Sequence, residues 1–355
     1  MQKARNLIVC MFVLISSTSA GIKFLHGPLS EALERAKTEN KPVFIDFTTD
    51  WCRWCDTLDV RTYSDANVAA YVESHVIPIK IDAEKGEGID LAKKHGVRAY
   101  PTMLVISADG EEIDRLLGYM PPDKFMAELT DLLAGKNTVN TVRALLKEKP
   151  DDPEVRYTAA KKFLSRFEMA SAVEQFEKLL ELDPNNTRGH NLEARFEVGL
   201  LNVQTKQRPD ELEEFVKDYP SSEQIAQALV TLTQHYLRAK DPDEAETYFR
   251  RYLDKDPSNA MVMNNVAWEF AGLKAKLDFA AELSAKAVSL ATTDGDRAMF
   301  LDTQATVEFE RGDTSKAIAL EEKAVGLLAG APEKERKPYE ETLAKFKAGG
   351  KTSEK

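Results

Sequence analysis

Cysteine is scarce in this chain: three in 355 residues, Cys10, Cys52 and Cys55, beside five histidines, His26, His75, His95, His190 and His235, in no paired spacing. So few thiols exclude a disulfide-stapled scaffold, and a zinc centre at Cys52 and Cys55 would need two further soft ligands that no histidine pair supplies. Covalent haem attachment would need His directly after Cys55, where Asp56 stands. Positive charge is also short. The net charge is −11 at pH 7 with no basic stripe, so no nucleic-acid partner is expected. No apolar run reaches the ~18 to 20 residues of a membrane span, and no Gly-rich phosphate loop or dinucleotide fingerprint occurs. The expectation is a protein with no metal and no bound cofactor, its chemistry confined to a redox-active Cys52–Cys55 pair.

The N-terminus differs from the body. Lys3 and Arg5 precede the apolar block Leu7 to Ile15 and the small polar run Ser16-Ser17-Thr18-Ser19-Ala20, the pattern of a secretory signal cleaved after Ala20; an uncleaved anchor or a buried strand is the alternative. Bulky Val9 before Cys10 argues against lipid attachment there. With residues 1–20 removed, Cys52 and Cys55 are the only cysteines left. A lone Cys-x-x-Cys pair in a periplasmic or extracellular setting points to redox exchange.

A length of 355 residues suggests two or three domains. From Pro28 to Lys41 the apolar spacing predicts a helix with Ser30 as N-cap. Val43 to Phe47 reads as a strand buried on both faces, broken only by Asp46. Cys52 follows at what would be a helix N-terminus, where partial positive charge favours a thiolate. Further expected elements are helices to about Thr62, from Asp65 to Glu73 and from Gly88 to His95, and strands over Val76 to Ile81 and Met103 to Ile106. An Asp109-Gly110 hairpin leads to Ile113 to Leu117, and an amphipathic helix from Pro122 ends at Gly135.

Together, Phe47 to Cys55 with Asp46 six residues before Cys52, Tyr100-Pro101-Thr102 before an apolar strand, and Gly118 after the hairpin resemble the thioredoxin family over about residues 22 to 135. The resemblance implies an α/β thioredoxin-like domain over residues 21–135. It implies a cis Pro101 against the cysteine pair, Tyr100 offering backbone groups to an extended substrate, and Asp46 as a buried proton acceptor under Cys55. Two departures stand out: Arg53-Trp54 replaces the usual Gly-Pro, and Pro78 aligns where thioredoxins carry a lysine near the buried acid. Arg53 either favours the Cys52 thiolate or is a solvated charge. Trp51 and Trp54 either form an apolar rim for substrate or pack internally.

Beyond Lys136 the composition is all helical, and a period of about 34 residues emerges. Pro153 to Asn186 carries Ala160, Phe163, Ala172, Phe176, Leu179 and Pro184; Ala226 to Asn259 repeats the pattern with Leu232, Tyr236, Ala245, Phe249, Tyr252 and Pro257. Units from Ala260 and near Arg297 follow, and an irregular one spans Thr187 to Ser222 with a degenerate second helix, Pro209 to Lys217. This spacing resembles the tetratricopeptide repeat, implying an all-α solenoid over residues 136–347 whose groove takes a peptide or partner protein. Thr138 to Lys147 and Pro332 to Phe346 are the expected caps, and residues 348–355 an expected disordered tail.

The leading expectation is an exported thiol-disulfide oxidoreductase. Cys52 attacks, Cys55 resolves with help from Asp46, and Trp51, Arg53, Trp54, Tyr100 and Pro101 meet the substrate. Its partners would be protein thiols or disulfides, a separate redox partner protein, and a peptide or protein on the repeats. The alternative is a binding adaptor whose thioredoxin-like domain is structural or redox-sensing.

Overall fold

The computed structural model describes residues 21–349; the signal pattern and residues 350–355 of the expected tail lie outside the described residues. The chain divides into two compact units between Asp183 and Pro184.

The first unit is built on a four-stranded sheet. Its elements run α1 (Leu29–Glu39), β1 (Val43–Thr48), α2 (Arg53–Leu58), a π-helical turn (Asp59–Tyr63), α3 (Ala66–His75), β2 (Ile77–Asp82), α4 (Gly88–Lys94), β3 (Thr102–Ile106), β4 (Glu112–Leu117) and α5 (Pro122–Leu133). Strand order is β2-β1-β3-β4, with β1 and β2 parallel and the other pairs antiparallel. Every side chain of Val43 to Phe47 is buried, as the near-continuous apolar run requires of a central strand. Alternation sends Val43, Ile45 and Phe47 to the core under α1 and α4, while Phe44 meets Leu58, Tyr63 and Phe125 on the opposite face. Asp46 shares the face of Phe44 and so lies beneath α2.

One capping expectation is corrected. Ser30 lies inside α1, whose N-cap is Pro28 with no side-chain hydrogen bond. The free N–H of Leu29 instead donates to Glu87 Oε1 at 2.7 Å, a long-range partner that local pattern does not reveal. Asp65 does cap α3, accepting from Asn67 and Val68. Gly110 adopts a φ of 85° in the hairpin turn, the left-handed region that glycine enters at no steric cost.

Strands stop before 135, but packing of the first unit continues through α6 (Val139–Glu148), α7 (Pro153–Leu164) and α8 (Met169–Leu182). The reason is a buried charge network on β4. Asp114, 1% exposed, accepts from Arg166 Nη1 at 2.7 Å, from the Val139 N–H at 3.2 Å and from Lys162. Glu112 pairs with Arg115 and Arg166. Removing α6 to α8 would leave a buried carboxylate without its cations.

The second unit is helical throughout its described residues: α9 (Asn191–Lys206), the short α10 (Asp210–Asp218), α11 (Ile225–Arg238), α12 (Pro242–Leu253), α13 (Ala260–Leu273), α14 (Leu277–Leu290), α15 (Asp294–Glu310), α16 (Thr314–Leu327) and α17 (Glu333–Lys347). Small residues mark the close approaches of paired helices, with Ala245, Ala267, Ala280, Ala287, Ala305, Ala317 and Ala324 buried, and Phe249 and Phe270 fill the gaps. Gly199 on α9 is one such contact: a Cβ there would lie 2.9 Å from the backbone of Leu212. The degenerate α10 is held by Glu213, which accepts from Tyr236 and Tyr248. At the C-terminal end α17 buries Phe346 against Phe309, the position expected of a cap.

Candidate redox site

β1 delivers the chain to a tight turn, Asp50 and Trp51, and Cys52 becomes the N-cap of α2. A disulfide joins Cys52 to Cys55. Both are nearly buried, 5% and 3% exposed, and Cys52 Sγ accepts from the Cys55 N–H at 3.1 Å. This sulfur therefore already sits where a helix N-terminus presents donors to developing negative charge.

Aromatic rings stand around the pair. Trp51 and Trp54 are 64% and 61% exposed, although burial is the rule for large apolar side chains. Trp51 meets Tyr100 edge-on at 5.8 Å and its Nε1–H donates to Glu84 Oε2 at 3.0 Å; Trp54 stacks on Tyr119 at 5.8 Å. The Tyr100-Pro101 bond is cis, and the Pro101 carbonyl accepts from the Gly118 N–H at 2.9 Å. Tyr100 is thus brought to the cysteine turn through Trp51, and Tyr119, which follows Gly118, meets it through Trp54. Arg53 is exposed and makes no ion pair among the described residues.

Beneath α2, Asp46 is 1% exposed and its Oδ1 has no hydrogen-bond partner among the described residues. Burial raises its pKa to about 6; Lys80, with Nζ 3.4 Å from Oδ2, pulls the other way, and Asp59 adds to the rise. Lys80 also pairs with Asp59 in the π-helical turn. The Tyr63 phenol beside them stands well above its ordinary range, through burial and then the charges of Asp46 and Asp59.

A lysine stands beside the buried acid even though Pro78 does not supply one. Pro78 is the register partner of Phe44, whereas Lys80 is the partner of Asp46, so a lysine does accompany the buried acid. A lysine in the middle of the apolar strand Ile77-Pro78-Ile79-Lys80-Ile81 was the available signal. Asp59, Glu84 and Tyr119 carried none, since each reaches the site through tertiary packing. The described residues hold no cluster of three or more metal-ligating side chains, and no helix among them is long and apolar enough to cross a membrane.

A disulfide at a strand-to-helix turn, a cis Tyr100-Pro101 bond ahead of β3 and a buried acid on β1 accompany the class that the chain matches: residues 29–133 are a thioredoxin-like domain, and residues 210–271 match the tetratricopeptide repeat. Among particular relatives, the chain is similar to the thiol:disulfide interchange protein DsbD of Salmonella paratyphi A, 34% identical over 106 residues, 29% of this chain and 18% of that protein. The corresponding protein of Escherichia coli K12 is 32% identical over the same shares. The chain thus spans under a fifth of these relatives' length. A solved structure described as a putative disulphide-isomerase from Bacteroides thetaiotaomicron is 38% identical, covering 33% of this chain and 97% of its own, with a TM-score of 0.31.

Proposed function

We propose that the chain is an exported thiol-disulfide oxidoreductase acting on protein substrates through Cys52 and Cys55, with the repeat region binding a partner protein. The observation that carries this reading is the Cys52–Cys55 disulfide at the start of α2 in a thioredoxin-like domain related to thiol:disulfide interchange proteins. Export rests on the Lys3 to Ala20 pattern, which sets the pair in a compartment where disulfides persist.

In the reduced protein the Cys52 thiolate attacks one sulfur of a substrate disulfide. A mixed disulfide forms and one substrate sulfur leaves as thiolate. Cys55 passes its proton to Asp46 and attacks Cys52 Sγ. The Cys52–Cys55 bond forms, the second substrate sulfur leaves, and two electrons have moved from the pair to the substrate. The proton Cys52 released to solvent on forming the thiolate and the Cys55 proton, passed on from Asp46, balance the two taken up by the substrate thiolates. With a pKa of about 6, Asp46 is mostly ionised at pH 7 and able to accept that proton. Run backwards, the same steps oxidise a substrate dithiol, and a separate redox partner protein resets the pair.

Trapping tests the reading. Cys52→Ser reduces protein-disulfide reduction to the uncatalysed background, and Cys55→Ser accumulates mixed disulfides with substrate. Undiminished turnover in Cys52→Ser rejects the mechanism. A disulfide that dithiols reduce only after unfolding favours an adaptor role.

A further inference from the structure

The two aromatic pairs beside the disulfide are not equivalent. Trp51 is anchored by Glu84 and edge-packed on Tyr100. The Tyr100 phenol is raised above its ordinary range by burial and then by the charges of Glu84 and Asp82. Lys85 bridges Asp50 and Asp82 at 2.7 Å each, so the four groups carry three negative charges and one positive. Glu84 has Trp51 as its side-chain partner and no cationic partner among the described residues. The result is an exposed indole, held in place by Glu84, on a flank whose four charged groups sum to a net negative charge, with Arg53 the neighbouring cation on the other side of Cys52 in the chain. Trp54, by contrast, stacks on Tyr119 and follows the exposed Arg53.

We infer that the Trp51–Tyr100–Glu84 flank selects polypeptide disulfides that carry a Lys or Arg beside the reacting cysteine. The inference rests on the oxidoreductase reading above and names its substrate class. A cation over an indole face gains from the ring quadrupole, and the nearby carboxylates add to that attraction. The charge also raises the encounter rate for a basic segment at low salt. An acidic segment would meet like charge at Glu84, the carboxylate without a cationic partner among the described residues, so the same flank rejects as well as attracts. A rigid wall loses less entropy on binding than a mobile one, and the Glu84 hydrogen bond supplies that rigidity.

The test uses the full chain in its reduced form and three peptide disulfides that differ only in the residue beside the cysteine, Lys, Ala or Glu. Each rate constant is divided by that for dithiothreitol on the same peptide, which removes the effect of charge on the peptide's own sulfur. The expected result is a Lys over Ala preference of about fivefold at low ionic strength, shrinking below about twofold in ~1 M salt. Glu84→Gln, whose amide oxygen can still accept from Trp51, lowers the preference about two- to threefold. Equal normalised rates for the three peptides overturn the inference and leave the oxidoreductase reading standing. A Lys preference unchanged in Glu84→Gln overturns the assignment to this flank. No exchange with any peptide or with a small disulfide overturns the oxidoreductase reading and this inference with it.

Discussion

Two aspartates in the same sheet, Asp46 on β1 and Asp114 on β4, are each 1% exposed, yet their surroundings are opposite. Asp114 accepts from Arg166, from two backbone N–H groups, Arg115 and Val139, and from Lys162. Asp46 has one cation, 3.4 Å from Oδ2, which it shares with Asp59, and its Oδ1 is without a hydrogen bond among the described residues. Burial of a charge costs several kcal/mol unless it is fully partnered. Asp114 is partnered and serves structure, joining β4 to the helices that follow it. Asp46 is left short, and a carboxylate left short is one whose proton affinity rises into the working range of an acid or base.

Burial and a raised pKa alone do not mark a redox site. Glu321 on α16 is fully buried, and burial followed by repulsion from Asp302 lifts its pKa to about 8, with no cysteine in the unit that contains it. Asp46 is singled out by where it lies, on the sheet face that α2 and its cysteines cover.

The contrast can be broken most forcefully at Asp114. Arg166→Ala removes a guanidinium that serves Asp114, Glu112 and Glu168 at once. It destabilises the first unit by about 3 to 5 kcal/mol in denaturant unfolding, because the carboxylates stay buried. A loss below about 1 kcal/mol would place this network with ordinary surface pairs.

The effect at Asp46 has the opposite sign. Its folded pKa, about 6, exceeds the ordinary 3.8, so the protonated acid is favoured by the fold. Its contribution is fully present below pH ~4 and is lost as pH rises through about 6, a change of roughly 3 kcal/mol. Asp46→Asn, uncharged at every pH, therefore flattens this part of the stability profile of the oxidised protein and leaves it more stable than the parent at pH 7. A variant with the parent's slope between pH 4 and 6 would show that the ionisation belongs to another group.

Much of the site was legible because it is written locally. The Cys-x-x-Cys spacing, the apolar run with one acid in it and the Tyr100-Pro101-Thr102 turn are each contained in a few residues. The helical repeats were readable for the same reason, since small and large residues recur at a fixed period. What escaped depends on distant partners. Lys80 meets Asp46 only through the parallel register of β1 and β2. Tyr119 meets Trp54 only because the β4 strand ends beside the cis proline. Arg166 lies 52 residues from Asp114, so nothing near β4 announces that α7 and its following turn neutralise it. The change of element type near 135 was visible, and the continuation of packing to Asp183 was not.

The most direct test follows resolution of a mixed disulfide on Cys52 by Cys55 as a function of pH, in the parent chain, Asp46→Asn and Asp114→Asn, each examined where it remains folded. The account predicts that Asp46→Asn slows resolution about 10- to 100-fold near pH 7 and removes the rise centred near pH 6, while folded Asp114→Asn keeps the parent's profile. A parental profile in Asp46→Asn, or the same loss in both variants, would contradict it.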